Sequence, residues 1–456
     1  MLYSDVVNAQ RDFYQSGQTK DIHFTLSQLT KLKQVLKANE ARLYEAINAD
    51  FGKSIFETYT TELGLIYHEI KLIKHHLKKW RSPKRVPTDL ANWPGKSYII
   101  PEPLGNVLVI GAWNYPYQLS FLPALTALAA GNTVILKPSE IAGHSSKVMT
   151  QIINQNFSKG YFHVVEGGVP ETNSLLSHRF DKIFFTGSTR VGQLIYEAAA
   201  KHLTPVTLEL GGKSPTFVLK DAPLKITAKR IVWAKFLNAG QTCVAPDYIL
   251  VEKPIEKDFL KELATEIDRQ FSFKENLPPN YVRIINQNNF NRLIQLVNHE
   301  KVYHGGQIIS HLKVIKPTIL HKVSFEDAVM KEEIFGPVLP VISFTDLDNI
   351  LTQVKKLSKP LACYIYGKNK KRVDKIINNL SFGGGMVNDS VLYLTNPNLP
   401  FGGVGFSGMG AYHGKAGFDT FTHYKSVLKK PFWFEPPFKY PPYKAWKLKI
   451  LKWIFE

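Results

Sequence analysis

Short apolar runs alternate with helix-length segments along this chain, and that alternation limits the possible folds more than any other feature. Val107-Leu108-Val109-Ile110 precedes a helical stretch over 117–130. Thr133-Val134-Ile135-Leu136 precedes another over 143–157, and the runs 161–165 and 182–185 continue the series. Such runs are too short for helices, and they lack the polar alternation of a half-exposed strand. Strands buried on both faces and separated by helices form a parallel sheet with right-handed crossovers. The pattern restarts after Glu209, at Thr216-Phe217-Val218-Leu219, 248–251, 338–341 and 362–366, which predicts a second α/β unit. A chain of 456 residues exceeds one ordinary core.

The flanking segments read differently. Leu26, Leu29, Leu32 and Leu36 recur at helical spacing, so 24–80 reads as helical, with Asp21 or Thr25 as the starting cap. Residues 83–106 are rich in proline and turns, with a strand at Ser97-Tyr98-Ile99-Ile100 that suits an arm or sheet edge. Residues 381–420 are rich in glycine and aromatic residues with little periodicity, and read as ordered loops with an intersubunit strand.

Lysine and arginine outnumber acids 57 to 38, a net charge of +19. Such a chain is attracted to anionic membranes, nucleic acid or anionic ligands. The lysines are spread widely, without zinc-finger spacing or a nucleic-acid module, so nucleic-acid recognition is not expected. Two cysteines exclude a disulfide scaffold and suit a reducing compartment, hence the cytoplasm. No signal-peptide pattern is visible, and the apolar stretch 122–130 contains Pro123 and is too short to span a bilayer. The last residues, from Lys444 to Phe455, mix lysine with tryptophan, leucine and isoleucine. They suit either peripheral contact with an anionic membrane or an extended tail packed on the protein.

Cys243 closes the stretch Phe236-Leu237-Asn238-Ala239-Gly240-Gln241-Thr242-Cys243. A cysteine is often a small buried hydrophobe. Beside a turn-forming glycine and polar neighbours it is also a candidate nucleophile. Thiolate attack on an aldehyde gives a thiohemiacetal; hydride loss gives a thioester that water can cleave. Cys363 sits within a strand and reads as structural. Glu209, in Leu208-Glu209-Leu210-Gly211-Gly212, is either a strand-end carboxylate meeting a lysine or N–H, or a base raised by an apolar pocket. Asn114 follows the strand ending at Ile110. It is either a turn residue or a neutral donor for a developing alkoxide, a role whose loss costs roughly 3 kcal/mol in other enzymes. No clustered His/Cys set argues for a metal.

These motifs together resemble the aldehyde dehydrogenase superfamily over nearly the whole chain, to about residue 425. Its glutamate motif is matched by 208–214 and its cysteine motif by 236–243. Trp113-Asn114-Tyr115-Pro116, Lys137-Pro138-Ser139-Glu140, 185–192 and Glu332-Glu333-Ile334-Phe335-Gly336-Pro337 add specificity. The short N-terminal part, Asn114-Tyr115-Pro116 and 396–410 are similar to the class 3, fatty-aldehyde-like branch.

The resemblance implies an α/β fold with a Rossmann-type cofactor domain, a second α/β catalytic domain and a small β oligomerisation arm. The expected division is 1–82 with 106–208 for NAD(P), 209–394 for catalysis, 83–105 with 395–430 for bridging, and a basic aromatic tail at 431–456. It implies Cys243 as nucleophile, Asn114 as oxyanion donor and Glu209 as deacylation base. Glu333 would hold the nicotinamide ribose beside Phe335, Lys137 would contact the adenosine ribose region, and Gly187, Ser188 and Gly192 would form the pyrophosphate turn. That turn is not Gly-x-Gly-x-x-Gly, but its physics, a serine at a helix start after a strand, is sound. Glu140 near the ribose disfavours a 2′-phosphate by like charge, so NAD is preferred, with NADP left open.

The expected reaction is oxidation of an apolar aliphatic or aromatic aldehyde to its acid by a homodimer. Tyr115, Trp233 and Phe401 are candidates for the aldehyde entrance. The alternatives are a coenzyme A-acylating dehydrogenase and a noncatalytic nucleotide-binding protein.

Overall fold

The apolar runs of the first half assemble into one sheet in the computed structural model, which describes residues 3–272, 278 and 280–456. Its strands lie in the order Gly408–Met409, Val206–Glu209, Lys182–Thr186, Asn106–Ile110, Thr133–Lys137, Phe162–Val164. The last five are parallel, and Gly408–Met409 pairs antiparallel at the edge. Every residue of Asn106–Ile110, Thr133–Lys137 and Lys182–Thr186 is buried, which is why these runs carry no polar alternation. The helix Gln118–Ala130 is buried on all sides and correspondingly apolar all round.

The chain runs outward from Asn106–Ile110 to the edge at Phe162–Val164, then returns to Lys182–Thr186 on the other side. Loops leaving the carboxyl ends of these two neighbouring strands diverge, and open α/β sheets bind ligands at such a switch point. Asn114 follows one of these strands and Gly187 the other.

The second sheet has the order Val302–His304, Thr318–Leu320, Val338–Phe344, Tyr248–Glu252, Pro215–Val218, Ala362–Tyr366, Gly384–Val387. All neighbours are parallel except the first pair. A third sheet joins Lys84–Val86, Lys96–Pro103 and Thr422–Lys429 antiparallel.

One stretch matches the sequence reading in finer detail and two differ from it. Residues 24–80 form several helices, Ile22–Ala38, Glu40–Phe51 and Ile55–Thr58, then a π turn Tyr59–Leu63 leading into Gly64–Trp80. Asp21 is the cap, its carboxylate accepting from the His23 and Phe24 N–H groups. Within 381–420, Gly384–Val387 pairs with Ala362–Tyr366 of the same chain, and a helix spans Gly414–Thr420. Glycines hide that strand because the backbones approach closely: a methyl group at Gly385 would lie 2.6 Å from the Cys363 carbonyl oxygen. The terminal residues Ala445–Phe455 are helical rather than extended. Among the described residues no helix is long and apolar enough to cross a membrane.

Candidate active site

The backbone leading to Cys243 is strained and held from several sides. Asn238 and Ala239 adopt left-handed φ of 53° and 51°, a conformation that costs about 1–2 kcal/mol for each residue with a side chain. Gly240 follows with φ 73°, and a methyl group there would lie 2.6 Å from the Gly336 carbonyl carbon. The buried Gln241 side chain ties the loop down, donating to the carbonyls of Asn238 and Arg283 and accepting from the Ile285 N–H at 3.1 Å. The Thr242 hydroxyl meets the Tyr115 hydroxyl at 2.6 Å.

Asn114 is buried beside this loop, its Nδ2 donating to the Gln241 carbonyl at 3.1 Å. The second hydrogen on Nδ2 is not needed for that bond. Asn238 Nδ2 bridges the Asn114 carbonyl at 2.9 Å and the Gln241 carbonyl at 3.1 Å. The loops carrying Asn114 and Cys243 are therefore tied together.

Cys243 is a free cysteine on the wall of a cavity of about 620 Å³. Tyr115, Leu119, Trp233, Phe401 and Tyr412 contribute to the lining, so the three aromatic residues expected at an entrance do border it. Burial, followed by the charges of Glu333 and Glu209, pushes the thiol up to about 12, while N–H groups of Cys243 and Val244 oppose the rise. Those causes bring the three side chains into one electrostatic neighbourhood.

Glu209 closes the strand Val206–Glu209 and is buried. Among the described residues neither carboxyl oxygen has a hydrogen-bond partner, so the alternative of a lysine or N–H pairing is not built there. Burial pushes this carboxyl well above the usual range. Its backbone carbonyl accepts from the Gly187 N–H at 2.9 Å.

The expected nucleotide residues gather at the carboxyl ends of the first sheet. Lys137 ends its strand, buried, with Nζ 2.9 Å from Glu140 Oε2. Ser188 caps the helix Thr189–Ala200, its Oγ accepting from the Val191 N–H. Gly192 packs close to the strand end: a methyl group there would lie 2.6 Å from Leu210 Cδ2. The Glu333 carboxyl lies against Gly211 and accepts from the Gly212 N–H. Burial, with the charge of Asp247, pushes it up to about 8. Phe335 has a left-handed φ of 49° and meets Trp113 edge-on at 5.3 Å. A helix N-terminus, close-packed glycines and a carboxyl over glycine backbone suit the pyrophosphate and ribose of NAD(P). Among the described residues no cluster of His, Cys, Asp or Glu is arranged for a metal ion.

Several supporting residues had no role in the sequence reading. Lys213 ion-pairs with Asp247 and donates to the Val329 and Glu332 carbonyls at 3.0 and 2.8 Å. Asp247 accepts from the Ile334 N–H at 2.9 Å, and Arg292 donates to the Ile334 carbonyl at 2.7 Å. These three side chains fix the loop that carries Glu333 and Phe335. On the other side, Lys53, Glu57 and Glu62 are buried against the Asn114 and Asn238 loops. In sequence they look like ordinary helix charges, and only burial separates them from solvated ones.

A free thiol opening on a largely apolar cavity, tied to a loop that leaves the switch point of a parallel sheet, suits chemistry on a carbonyl compound. Residues 6–427 match the aldehyde dehydrogenase family. The 4,4'-diaponeurosporen-aldehyde dehydrogenase of Staphylococcus aureus is 44% identical over 446 residues, 97% of each chain. A rat aldehyde dehydrogenase described as dimeric and NADP-preferring is 43% identical over 444 residues, 97% of this chain and 98% of its own. The class 3 resemblance holds as well, at 40% identity to the mouse family 3 member A2. A solved substrate-bound state of Staphylococcus aureus AldH superposes with a TM-score of 0.98 at 43% identity, covering 100% of both chains. The chain belongs to the aldehyde dehydrogenase family, the NAD(P)-using enzymes that oxidise aldehydes to carboxylic acids.

Proposed function

We propose that this enzyme oxidises apolar aldehydes, aliphatic or aromatic, through a thioester on Cys243. The observation that carries the reading is the cavity of about 620 Å³, aromatic along its walls, with Cys243 in its lining. The Cys243 thiol gives up its proton to solvent, and the thiolate attacks the carbonyl carbon while the carbonyl π electrons move onto oxygen. Asn114 Nδ2 and the Cys243 N–H stabilise that oxyanion without protonating the sulfur. NAD(P)⁺, when bound, accepts the hydride whose loss turns the thiohemiacetal into a thioester. Glu209 then takes a proton from water, whose oxygen attacks the thioester carbon; the C–S bond breaks and the acid leaves. A base whose two oxygens are unpaired among the described residues is free to take that water's proton, which favours hydrolysis over transfer to coenzyme A.

Glu333, beside Phe335, would accept from the nicotinamide ribose; Lys137 and Glu140 would meet the adenosine ribose, and Gly187, Ser188 and Gly192 would hold the pyrophosphate. The Lys137–Glu140 ion pair tempers the repulsion that Glu140 would exert on a 2′-phosphate. NAD is the preferred nucleotide and NADP is also accepted, the latter supported by the rat relative's name. The first sheet with its helices is the nucleotide-binding unit, the second sheet the catalytic unit, and the antiparallel arm with 395–430 the bridging element. The arm sheet ends in the strand Thr422–Lys429, which supports a homodimer.

The terminal helix contacts an anionic membrane. Its inward side carries Lys447, Ile450, Leu451 and Ile454, while Trp446, Leu448, Lys449, Lys452, Trp453 and Phe455 are exposed. Exposed tryptophans and lysines together suit the bilayer interface.

The test is an aldehyde panel from short to long and aromatic, run separately with NAD and NADP, with products identified with and without coenzyme A. Free acid from apolar aldehydes is expected; obligatory acyl-coenzyme A rejects hydrolysis, and absence of turnover despite nucleotide binding rejects catalysis. Cosedimentation with vesicles containing or lacking phosphatidylglycerol tests the tail, using a chain ending at residue 430 as control.

A further inference from the structure

The segment 53–63, a short connection followed by the helix Ile55–Thr58 and the π turn, places three charged side chains inside the protein, and all three reach the loops around Cys243. Glu62 Oε1 pairs with Lys53 Nζ at 2.9 Å, both side chains fully buried. Glu62 Oε2 accepts from the Tyr117 N–H at 2.8 Å and from the Gln118 N–H at 3.4 Å. Lys53 Nζ also reaches the Asn114 carbonyl at 3.4 Å and lies 4.5 Å from the centre of the Tyr115 ring. Residues 114–118 are therefore gripped from below by one ion pair. Glu57 Oε1 accepts from the Asn238 N–H at 3.0 Å, at the first of the two left-handed residues before Cys243.

The π turn at Tyr59–Leu63 explains how one short segment serves both loops. In a π turn the hydrogen bond spans five residues, which brings positions five apart towards one face. Glu57 and Glu62 are five apart, and both point inward. Such turns recur at functional sites in helices. Buried carboxylates without this purpose would be a poor choice, since apolar side chains fill such space without desolvating a charge.

We propose that Glu57 and the Lys53–Glu62 pair are positioning residues: they set the Asn114 amide against the Cys243 loop, Glu57 acting through Asn238. The proposal rests on the reaction proposed above. Glu57 also lines the aldehyde cavity, so a merely lining role must be separated from a positioning one. Lining alone alters the KM for aldehyde. Positioning alters kcat and the reactivity of the sulfur, because misplacement of about 1 Å can cost on the order of a hundredfold in rate.

The experiment uses the full chain and three variants. Glu57→Gln keeps an acceptor oxygen for the Asn238 N–H. Glu57→Leu removes it. Asn238→Gly keeps the left-handed backbone, which glycine adopts freely, but deletes the amide that bridges Asn114 and Gln241. Each is assayed for kcat and KM with an apolar aldehyde, and for Cys243 alkylation by iodoacetamide across pH without nucleotide. Glu57→Gln is expected to stay within about twofold of wild type in kcat; Glu57→Leu and Asn238→Gly are expected to lose about tenfold or more, with a displaced alkylation profile. Wild-type kcat and an unchanged alkylation profile in Glu57→Leu overturn the proposal. So does a loss in Glu57→Gln equal to that in Glu57→Leu, which would assign the effect to charge. If Glu57→Leu does not fold, Glu57→Ala, which also removes the acceptor for the Asn238 N–H, is assayed in its place, and wild-type kcat with an unchanged alkylation profile there overturns the proposal. An inactive wild type would defeat the proposed reaction, while the alkylation profiles would still report on the loops.

Discussion

Gly211→Ala isolates the contact between Glu333 and the backbone beneath it. Gly211 has no left-handed φ, so alanine fits its backbone and only the new methyl group matters. That methyl would lie 2.8 Å from the Glu333 carboxyl carbon and 3.0 Å from Oε1. Glu333 Oε2 lies nearer still, and relaxed contacts to carbon begin near ~3.5 Å, so the carboxyl must retreat by more than about 1 Å. Lys213, Asp247 and Arg292 hold its loop, so the side chain must rotate away from the Gly212 N–H rather than the loop shifting. A hydrogen bond to a charged group contributes about 1.5–3 kcal/mol, and tenfold in affinity corresponds to about 1.4 kcal/mol. If Glu333 holds the ribose, nucleotide binding weakens by about 10- to 100-fold. Titration of the full chain with NADH, followed by nucleotide fluorescence, reads this directly, and a far-UV circular dichroism spectrum verifies the fold. A dissociation constant within about twofold of wild type would refute the assignment of Glu333 to the ribose.

Three further outcomes are expected. Cys243→Ser abolishes turnover, whereas Glu209→Gln lowers kcat by about 100-fold or more while sparing the first-turnover burst of reduced nucleotide, measured by stopped-flow absorbance. Loss of the burst in Glu209→Gln would place the glutamate before the thioester. Glu333→Gln accelerates Cys243 alkylation at pH 9, because it removes a negative charge that raises the thiol; an unchanged rate would contradict that coupling. Glu209 and Glu333 bind protons more tightly folded than unfolded. Stability is therefore full below about 4.5 and falls as pH rises, for Glu333 until about 8. Glu209→Gln should raise the thermal midpoint at pH 9 and leave it nearly unchanged at pH 4, by scanning calorimetry.

The parallel strands were legible because burial on both faces leaves uninterrupted apolar runs such as Val107 to Ile110. The strand Gly384–Val387 was not, since its glycines serve backbone approach and carry no apolar pattern. At the site, Cys243, Glu209 and Asn114 stood out through unusual neighbours in the sequence. Lys53, Glu57 and Glu62 did not, because a charged residue on a helix looks the same whether it faces water or a loop brought in from residue 114 or 238. The separations involved, up to 181 residues for Glu57 and Asn238, exist only after folding. Gln241 lay inside a recognised motif, yet its anchoring bonds to Arg283 and Ile285 depend on a segment far along the chain.

The carbonyl of Glu209 and the amide of Gly187 share one ladder bond, and Gly408 faces Glu209 from the other side. If the turn holds the dinucleotide as proposed, a change that retunes it for another nucleotide also tilts the peptide from which that carboxyl projects. On the roles proposed for Gly187 and Glu209, variants selected for nucleotide choice should carry a signature in the deacylation step.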